Sequence, residues 1–270
     1  LQELELDPQD VYVHDTLLDA SCLWELHGTD RPELKDHTWN SVTAGRLAVA
    51  EVIGDDFFSV IRHRALLVHH PYESFSTSTE EFIRQAAQDP SVRAIKATLY
   101  RTSANSPIAR NLIEAAERGV QVAALVELTA RFDEHTNVQW AKRLEAAGAH
   151  VVYGVVGLKT HAKCLLVVRE EAGRLVRYAH VGTGNYNSTT AKIYEDIGLF
   201  TVDEKITEDV ANLFNFLTGY SRSPDFDELV TAPTDLRARM VELIRNEVRF
   251  GSEGFISMKM NALADPGLID

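Results

Sequence analysis

Between Arg93 and about Val202, apolar runs alternate with stretches of helical spacing, a pattern that predicts an α/β sheet with crossover helices. The run Ala94 to Tyr100 predicts a buried strand. Ser106-Pro107 opens a helix with proline at its first position, and Gly119 closes it. Val120 to Leu128 predicts the next strand, a helix through Val138, Ala141, Leu144 and Ala147 ends at Gly148, and Ala149 to Val155 predicts a third strand. After that the connections shorten. Ala162–Val168 and Leu175–Val181 flank Glu171-Ala172-Gly173-Arg174, which predicts an antiparallel hairpin. Upstream, the nested caps of Ser74-Phe75-Ser76-Thr77-Ser78-Thr79-Glu80-Glu81 predict a helix start before Phe82, Ile83, Ala86 and Ala87. Residues 204–218 and Leu236–Arg249 predict further helices, Phe255–Leu263 a strand, and Asp265-Pro266 the capped start of a last helix.

Residues 1–45 show mixed charge and no clean period. The chain starts at Leu1, and its last strand and helix have nothing to pack against, so incomplete domains are expected at both ends. The expected division is 1–47 as the end of a preceding domain, 48–230 as a first α/β domain, and 231–270 as the start of a second, truncated one.

At 270 residues and 45% hydrophobic content the chain can bury a full core. Its two cysteines, Cys22 and Cys164, make neither a disulfide framework nor a cysteine zinc site and favour a reducing, cytoplasmic setting. No apolar run approaches the roughly 18 residues that cross a bilayer. A net charge of −13 argues against a general nucleic-acid binder. The charge is uneven, however: residues 91–201 carry 14 Lys+Arg against 10 Asp+Glu, and the flanks 13 against 30. A confined basic region of this kind draws a polyanion into a cleft.

The sharpest local signal is Gly157-Leu158-Lys159-Thr160-His161-Ala162-Lys163, running into apolar Cys164–Val168. Strand alternation would put His161 and Lys163 on one face, about 7 Å apart at Cα, and Cys164 on the other. Such a pair suits attack on phosphorus: the lysine binds non-bridging oxygens as a point charge, and nearby cations keep the imidazole unprotonated and nucleophilic. A lone strand-end histidine more often merely packs. Here His180-Val181-Gly182-Thr183-Gly184-Asn185-Tyr186-Asn187 follows one hairpin later, with glycines that let backbone N–H groups approach an anion and asparagine amides that can orient a phosphate oxygen. His-x-Lys followed by Gly-x-Gly-Asn resembles half of the phospholipase D active site. That superfamily expects Asp five residues after the lysine, and position 168 is Val. Arg101 and Arg131 follow predicted strands, where guanidinium forks could hold phosphate oxygens; singly, either is more often a surface ion pair.

Together with Val68-His69-His70-Pro71-Tyr72-Glu73-Ser74-Phe75, Tyr100-Arg101-Thr102, Val126-Glu127-Leu128, Ala130-Arg131-Phe132-Asp133-Glu134 and Trp140-Ala141-Lys142-Arg143-Leu144, these motifs resemble the long, ATP-dependent polyphosphate kinase family from about residue 50 onward. One departure is Ala65 after Arg64, where the family pattern has Asp. The resemblance implies a phospholipase-D-like mixed sheet flanked by helices, with His161 as the phosphorylated nucleophile assisted by Lys163. It implies ATP or phosphate binding by Tyr194, Lys159, Asn185 and Gly184, and Mg²⁺ and phosphate binding by Arg101 and Arg131. Arginine has no lone pair to give a metal, so its expected role is to hold phosphates that carry Mg²⁺.

The implied reaction is reversible transfer of the ATP γ-phosphoryl group to inorganic polyphosphate through phosphohistidine, in a cytoplasmic enzyme that does not bind nucleic acid. At full length the family implies a homo-oligomer with peripheral membrane association. It also implies a second histidine from a downstream half, and no other His-x-Lys occurs in the chain, so this piece alone is expected to be slow or inactive. Two rival readings are a phospholipase-D-type phosphodiesterase and a non-catalytic polyanion-binding module using Arg101, Arg131 and Lys163.

Overall fold

The computed structural model describes residues 7, 9, 11–15, 19–37, 39–100, 102–103, 105–127, 134–155, 157–221, 225–260 and 262–270. The chain divides into two compact units, Leu1–Asn40 and Ser41–Asp270. In the first, a 3-10 turn at Ala20–Cys22, capped by the Asp19 side chain, leads into the short helix α1 (Leu23–Gly28), and a second 3-10 turn follows at Pro32–Leu34. None of its described residues is buried.

The second unit is built on one mixed sheet. Its elements run α2 (Gly45–Ile53), α3 (Phe57–His63), β1 (Leu66–His70), a π-helical turn (Ser76–Glu80), α4 (Glu81–Gln88), β2 (Val92–Leu99), α5 (Pro107–Glu117), β3 (Gln121–Val126), α6 (Glu134–Ala146), β4 (His150–Val152), β5 (Lys163–Glu171), β6 (Arg174–Gly182), β7 (Asp196–Thr201), α7 (Glu204–Leu217), α8 (Leu236–Val248) and α9 (Pro266–Ile269). The seven strands lie in the order β1-β7-β6-β5-β2-β3-β4. Strands β2, β3 and β4 are parallel, and every other neighbouring pair is antiparallel.

Both faces of the sheet are covered, which is why its strands read as nearly continuous apolar runs. On one face Phe57, Phe58 and Ile61 of α3, Phe82 and Ile83 of α4, and Ile108 and Leu112 of α5 pack on Ile95, Leu165, Val167, Tyr178 and Phe200. On the other, Val210, Leu213, Phe214 and Leu217 of α7 pack on Leu125, Cys164, Leu166 and Ala179. The Cys164 thiol sits in this apolar layer, and burial pushes it up to about 12 despite the adjacent Lys163 ammonium.

The local signals hold where chemistry specifies them. Ser106 accepts from the Ala109 N–H at the start of α5, Asp265 from the Leu268 N–H at α9, and the hairpin turns through Ala172 and Gly173 at φ 48° and 77°, left-handed values that match the strand twist. Elsewhere the structure departs from expectation. The helix foreseen after Ser74 begins with a π-helical turn before α4. The strand foreseen at Ala149–Val155 is confined to three residues, after which Gly154 turns at φ 65°. Residues 255–263 form no strand among the described residues: no neighbouring strand offers them a ladder, and Phe255 is 79% exposed. Strands β1 and β7, at the far side of the sheet, were not singled out by the apolar pattern. Leu128, foreseen as the end of a strand, lies outside the described residues. No described helix is long and apolar enough to cross a membrane.

Candidate functional site

Strand directions gather four loops at one edge of the sheet. Parallel β2 and β3 both end there, and β5, antiparallel to β2, begins there with Lys163. Lys163 pairs with Gly182, the last residue of β6, so the Gly-x-Gly-Asn loop leaves from the same edge, and β7 re-enters beside it with Gly182 opposite Gly198. Loop-borne groups at the carboxyl ends of parallel strands are a common site for binding phosphates.

His161 lies two residues before β5, in a segment with no strand ladder of its own, and is exposed. Its ring stands edge-on to Tyr100, with centroids 5.1 Å apart and an interplanar angle of 77°. Lys163 is 5% exposed; its ammonium lies 5.2 Å from the centre of the same Tyr100 ring and donates to the His161 carbonyl. Tyr100 therefore joins the two groups that the sequence motif pairs.

The backbone on either side of His161 is held by buried side chains from other strands. Thr98 of β2 donates its hydroxyl proton to the Ala162 carbonyl at 2.8 Å and accepts from the Cys164 N–H at 3.0 Å. Glu127, immediately after β3, accepts from the Thr160 N–H at 2.9 Å. Helix α6 braces the loops above. Asn137, fully buried, donates to the carbonyls of Tyr100 at 2.6 Å and Glu127 at 2.9 Å and accepts from the Thr102 N–H at 3.3 Å, while the Trp140 indole donates to the Ser103 carbonyl at 2.9 Å. The apolar pattern gave no sign of these roles. Glu127 and Trp140 stand within the family motifs quoted above, with no role attached, and a further signal is that Glu127 ends an apolar strand, a place where a carboxylate is seldom buried without a task.

A second group forms around the Gly-x-Gly-Asn loop. His180 is buried, with Nδ1 2.8 Å from the Tyr186 hydroxyl, and burial with nearby His70 pushes its imidazole down to about 3. Gly184 and Asn185 line a cavity of about 10 Å³ with His70, Thr79, His180 and Asp196, room for about one water. Thr79 Oγ1, His180 Nε2 and Asn185 Oδ1 have no hydrogen-bond partner among the described residues. A Cβ at Gly184 would lie 2.4 Å from the Asp196 carboxylate, so any larger residue there would have to displace that side chain. Asn187 accepts from the Thr189 and Thr190 N–H groups at 2.9 and 3.2 Å and so starts the 3-10 turn Thr190–Lys192 that precedes Tyr194, which is 59% exposed.

Lys159 is exposed on the loop before His161. Arg101 and Arg131 lie outside the described residues. Among the described residues no cluster of three or more His, Cys, Asp or Glu could hold a metal ion. The donor set at this edge, with an ammonium, an imidazole and a carboxylate already accepting from backbone, fits phosphate oxygens better than a bare cation.

A family model described as Polyphosphate kinase C-terminal domain 1 matches residues 56–223. The chain is 52% identical over its whole length to the polyphosphate kinases of Mycobacterium marinum and of Mycobacterium tuberculosis strain H37Rv, and it spans 37% of each of those proteins. The crystal structure of the polyphosphate kinase from Porphyromonas gingivalis superposes at a TM-score of 0.76 and 34% identity, over 88% of this chain and 39% of that one. A phospholipase D family member from Salmonella typhimurium superposes at a TM-score of 0.45 and 13% identity, over 61% of this chain and 99% of its own, a likeness too faint to carry weight. With a family model spanning more than half of its length and seated on the same sheet edge that gathers His161 and Lys163, the chain belongs to the polyphosphate kinase family.

Proposed function

We propose that this chain carries the phosphoryl acceptor of an ATP:polyphosphate phosphotransferase, and that the acceptor is His161. The observation that carries the reading is the grouping of exposed His161, the buried Lys163 ammonium and Tyr100 where four loops converge. A ring nitrogen of His161 attacks the γ-phosphorus of ATP, the bond from that phosphorus to the β–γ bridging oxygen breaks, and ADP leaves. In the second half-reaction a terminal oxygen of polyphosphate attacks the same phosphorus and the N–P bond breaks. Lys163 balances charge on the non-bridging oxygens throughout.

Lys159, Gly184, Asn185 and Tyr194 bind ATP and phosphate in this reading, and Arg101 and Arg131 hold the phosphates. Mg²⁺ enters on the nucleotide as part of the substrate. Residues 1–47 and 231–270 belong to neighbouring domains, the second of which supplies acid/base help. The enzyme works in the cytoplasm, and at full length as a homo-oligomer with peripheral membrane association.

The test is incubation with γ-labelled ATP and Mg²⁺, or with labelled polyphosphate. It is run on this chain alone and on the chain joined to the parts of a polyphosphate kinase that it does not span. The expected result is protein-bound label that is acid-labile, base-stable and absent from His161→Ala. Label on neither form, or label that survives His161→Ala, overturns the assignment.

A further inference from the structure

Glu127 is 4% exposed at the end of β3. A carboxylate withdrawn from water to that extent is costly unless N–H groups replace the lost hydration, so the donors it accepts from indicate its role. One of them is the backbone N–H of Thr160, the residue before His161, at 2.9 Å. Segment 159–162 has no ladder to hold it, whereas Glu127 is rigidly mounted. Its N–H donates to the Leu99 carbonyl at 2.9 Å and its carbonyl accepts from Asn137. On β2, the strand between β3 and β5, Thr98 holds the Ala162 carbonyl. The backbone is thus held just before His161 by the carboxylate at the end of β3 and just after it by the hydroxyl on β2.

We propose that Glu127 is a positioning residue for phosphoryl transfer: its carboxylate holds the Thr160 N–H and so fixes the backbone from which the His161 imidazole projects. The inference rests on reading His161 as the phosphoryl acceptor. It places the effect in geometry, because a reacting atom displaced by about 1 Å loses on the order of 100-fold in rate. Any acceptor oxygen at the same place should therefore serve, charged or not.

Three forms of the chain, joined to the remaining polyphosphate kinase parts, separate the alternatives: wild type, Glu127→Gln and Glu127→Ala. In Glu127→Ala the initial rate of phosphohistidine formation is expected to fall about 10- to 100-fold with the apparent KM for ATP changed less than about threefold. The Thr160 amide should exchange with solvent about tenfold faster or more. Glu127→Gln keeps an amide oxygen for the Thr160 N–H and should restore both readouts to within about threefold of wild type. A wild-type labelling rate in Glu127→Ala overturns the proposal, as does a Glu127→Gln enzyme as slow as Glu127→Ala, which would assign the effect to charge. If the wild type takes no label, the phosphohistidine reading fails on its own. The anchor is then judged by exchange, and equal Thr160 exchange in wild type and Glu127→Ala overturns it.

Discussion

His180 stays neutral at neutral pH because burial, and then the nearby His70, hold its imidazole at about 3 against an ordinary value of 6.5. Charged and titratable groups face it from several strands: His70 on β1, itself pushed down by burial, Asp196 on β7, and the Tyr186 hydroxyl. The unfolded chain takes up the His180 proton near pH 6.5 and the folded chain only near pH 3. The stabilisation from keeping it neutral is therefore complete above pH 6.5 and is lost as pH falls toward 3, at up to about 1.4 kcal/mol per pH unit. Urea unfolding from pH 7.5 to 4.5 should show a steeper fall in stability for the wild type than for His180→Gln. Parallel curves would mean that the imidazole is not excluded from water as the structure has it. The sequence marked His180 only as the start of a glycine loop. Its confinement comes from Gly198, on a different strand, where a Cβ would lie 2.5 Å from Nε2.

Among the elements, α6 has a task beyond covering the sheet. Asn137 satisfies two carbonyls and one N–H in the loops after β2 and β3, so Asn137→Ala leaves three backbone groups short of a partner at once. Stability should drop by about 2–4 kcal/mol, read from the chemical-denaturation midpoint, and, on the proposal that His161 is the phosphoryl acceptor, its labelling rate should fall with it. A loss under about 0.5 kcal/mol would show that these loops are held by something else. The helix itself was legible from Val138, Ala141 and Leu144 at helical spacing, and α5 and α9 from their Ser-Pro and Asp-Pro starts, because caps and periodicity are local. Strands are legible only in part, since a strand exists when a partner completes its ladder. Residues 255–263 have the composition without the partner, whereas β1, short and alternating, exists because β7 pairs with it from His70–Asp196 to Leu66–Phe200.

At the scale of the whole molecule, an acidic chain with net charge −13 brings the loops of its more basic middle, residues 91–201, to one edge. Binding of a polyanion there should release counterions in proportion to the few cations engaged. The logarithm of polyphosphate affinity should then fall linearly with the logarithm of KCl concentration, with a slope on the order of −3, far shallower than for a protein coated in basic charge. Fluorescence anisotropy of end-labelled polyphosphate between about 50 and 200 mM KCl reads this directly; a slope of zero would remove the loops as a polyanion site.

Neighbouring residues alone are enough to specify the α/β class, helices α4 to α9, the hairpin and the Lys-Thr-His-Ala-Lys motif, whereas no local signal singled out α1, α2 and α3. That Glu127 and Thr98 hold this motif and Tyr100 faces it follows from the folded arrangement alone. Those contacts exist because β5, with its hairpin partner β6 on one side, pairs antiparallel on the other with β2, which is far from it in the chain, and strand order is settled by the packing of both sheet faces and not by any local pattern.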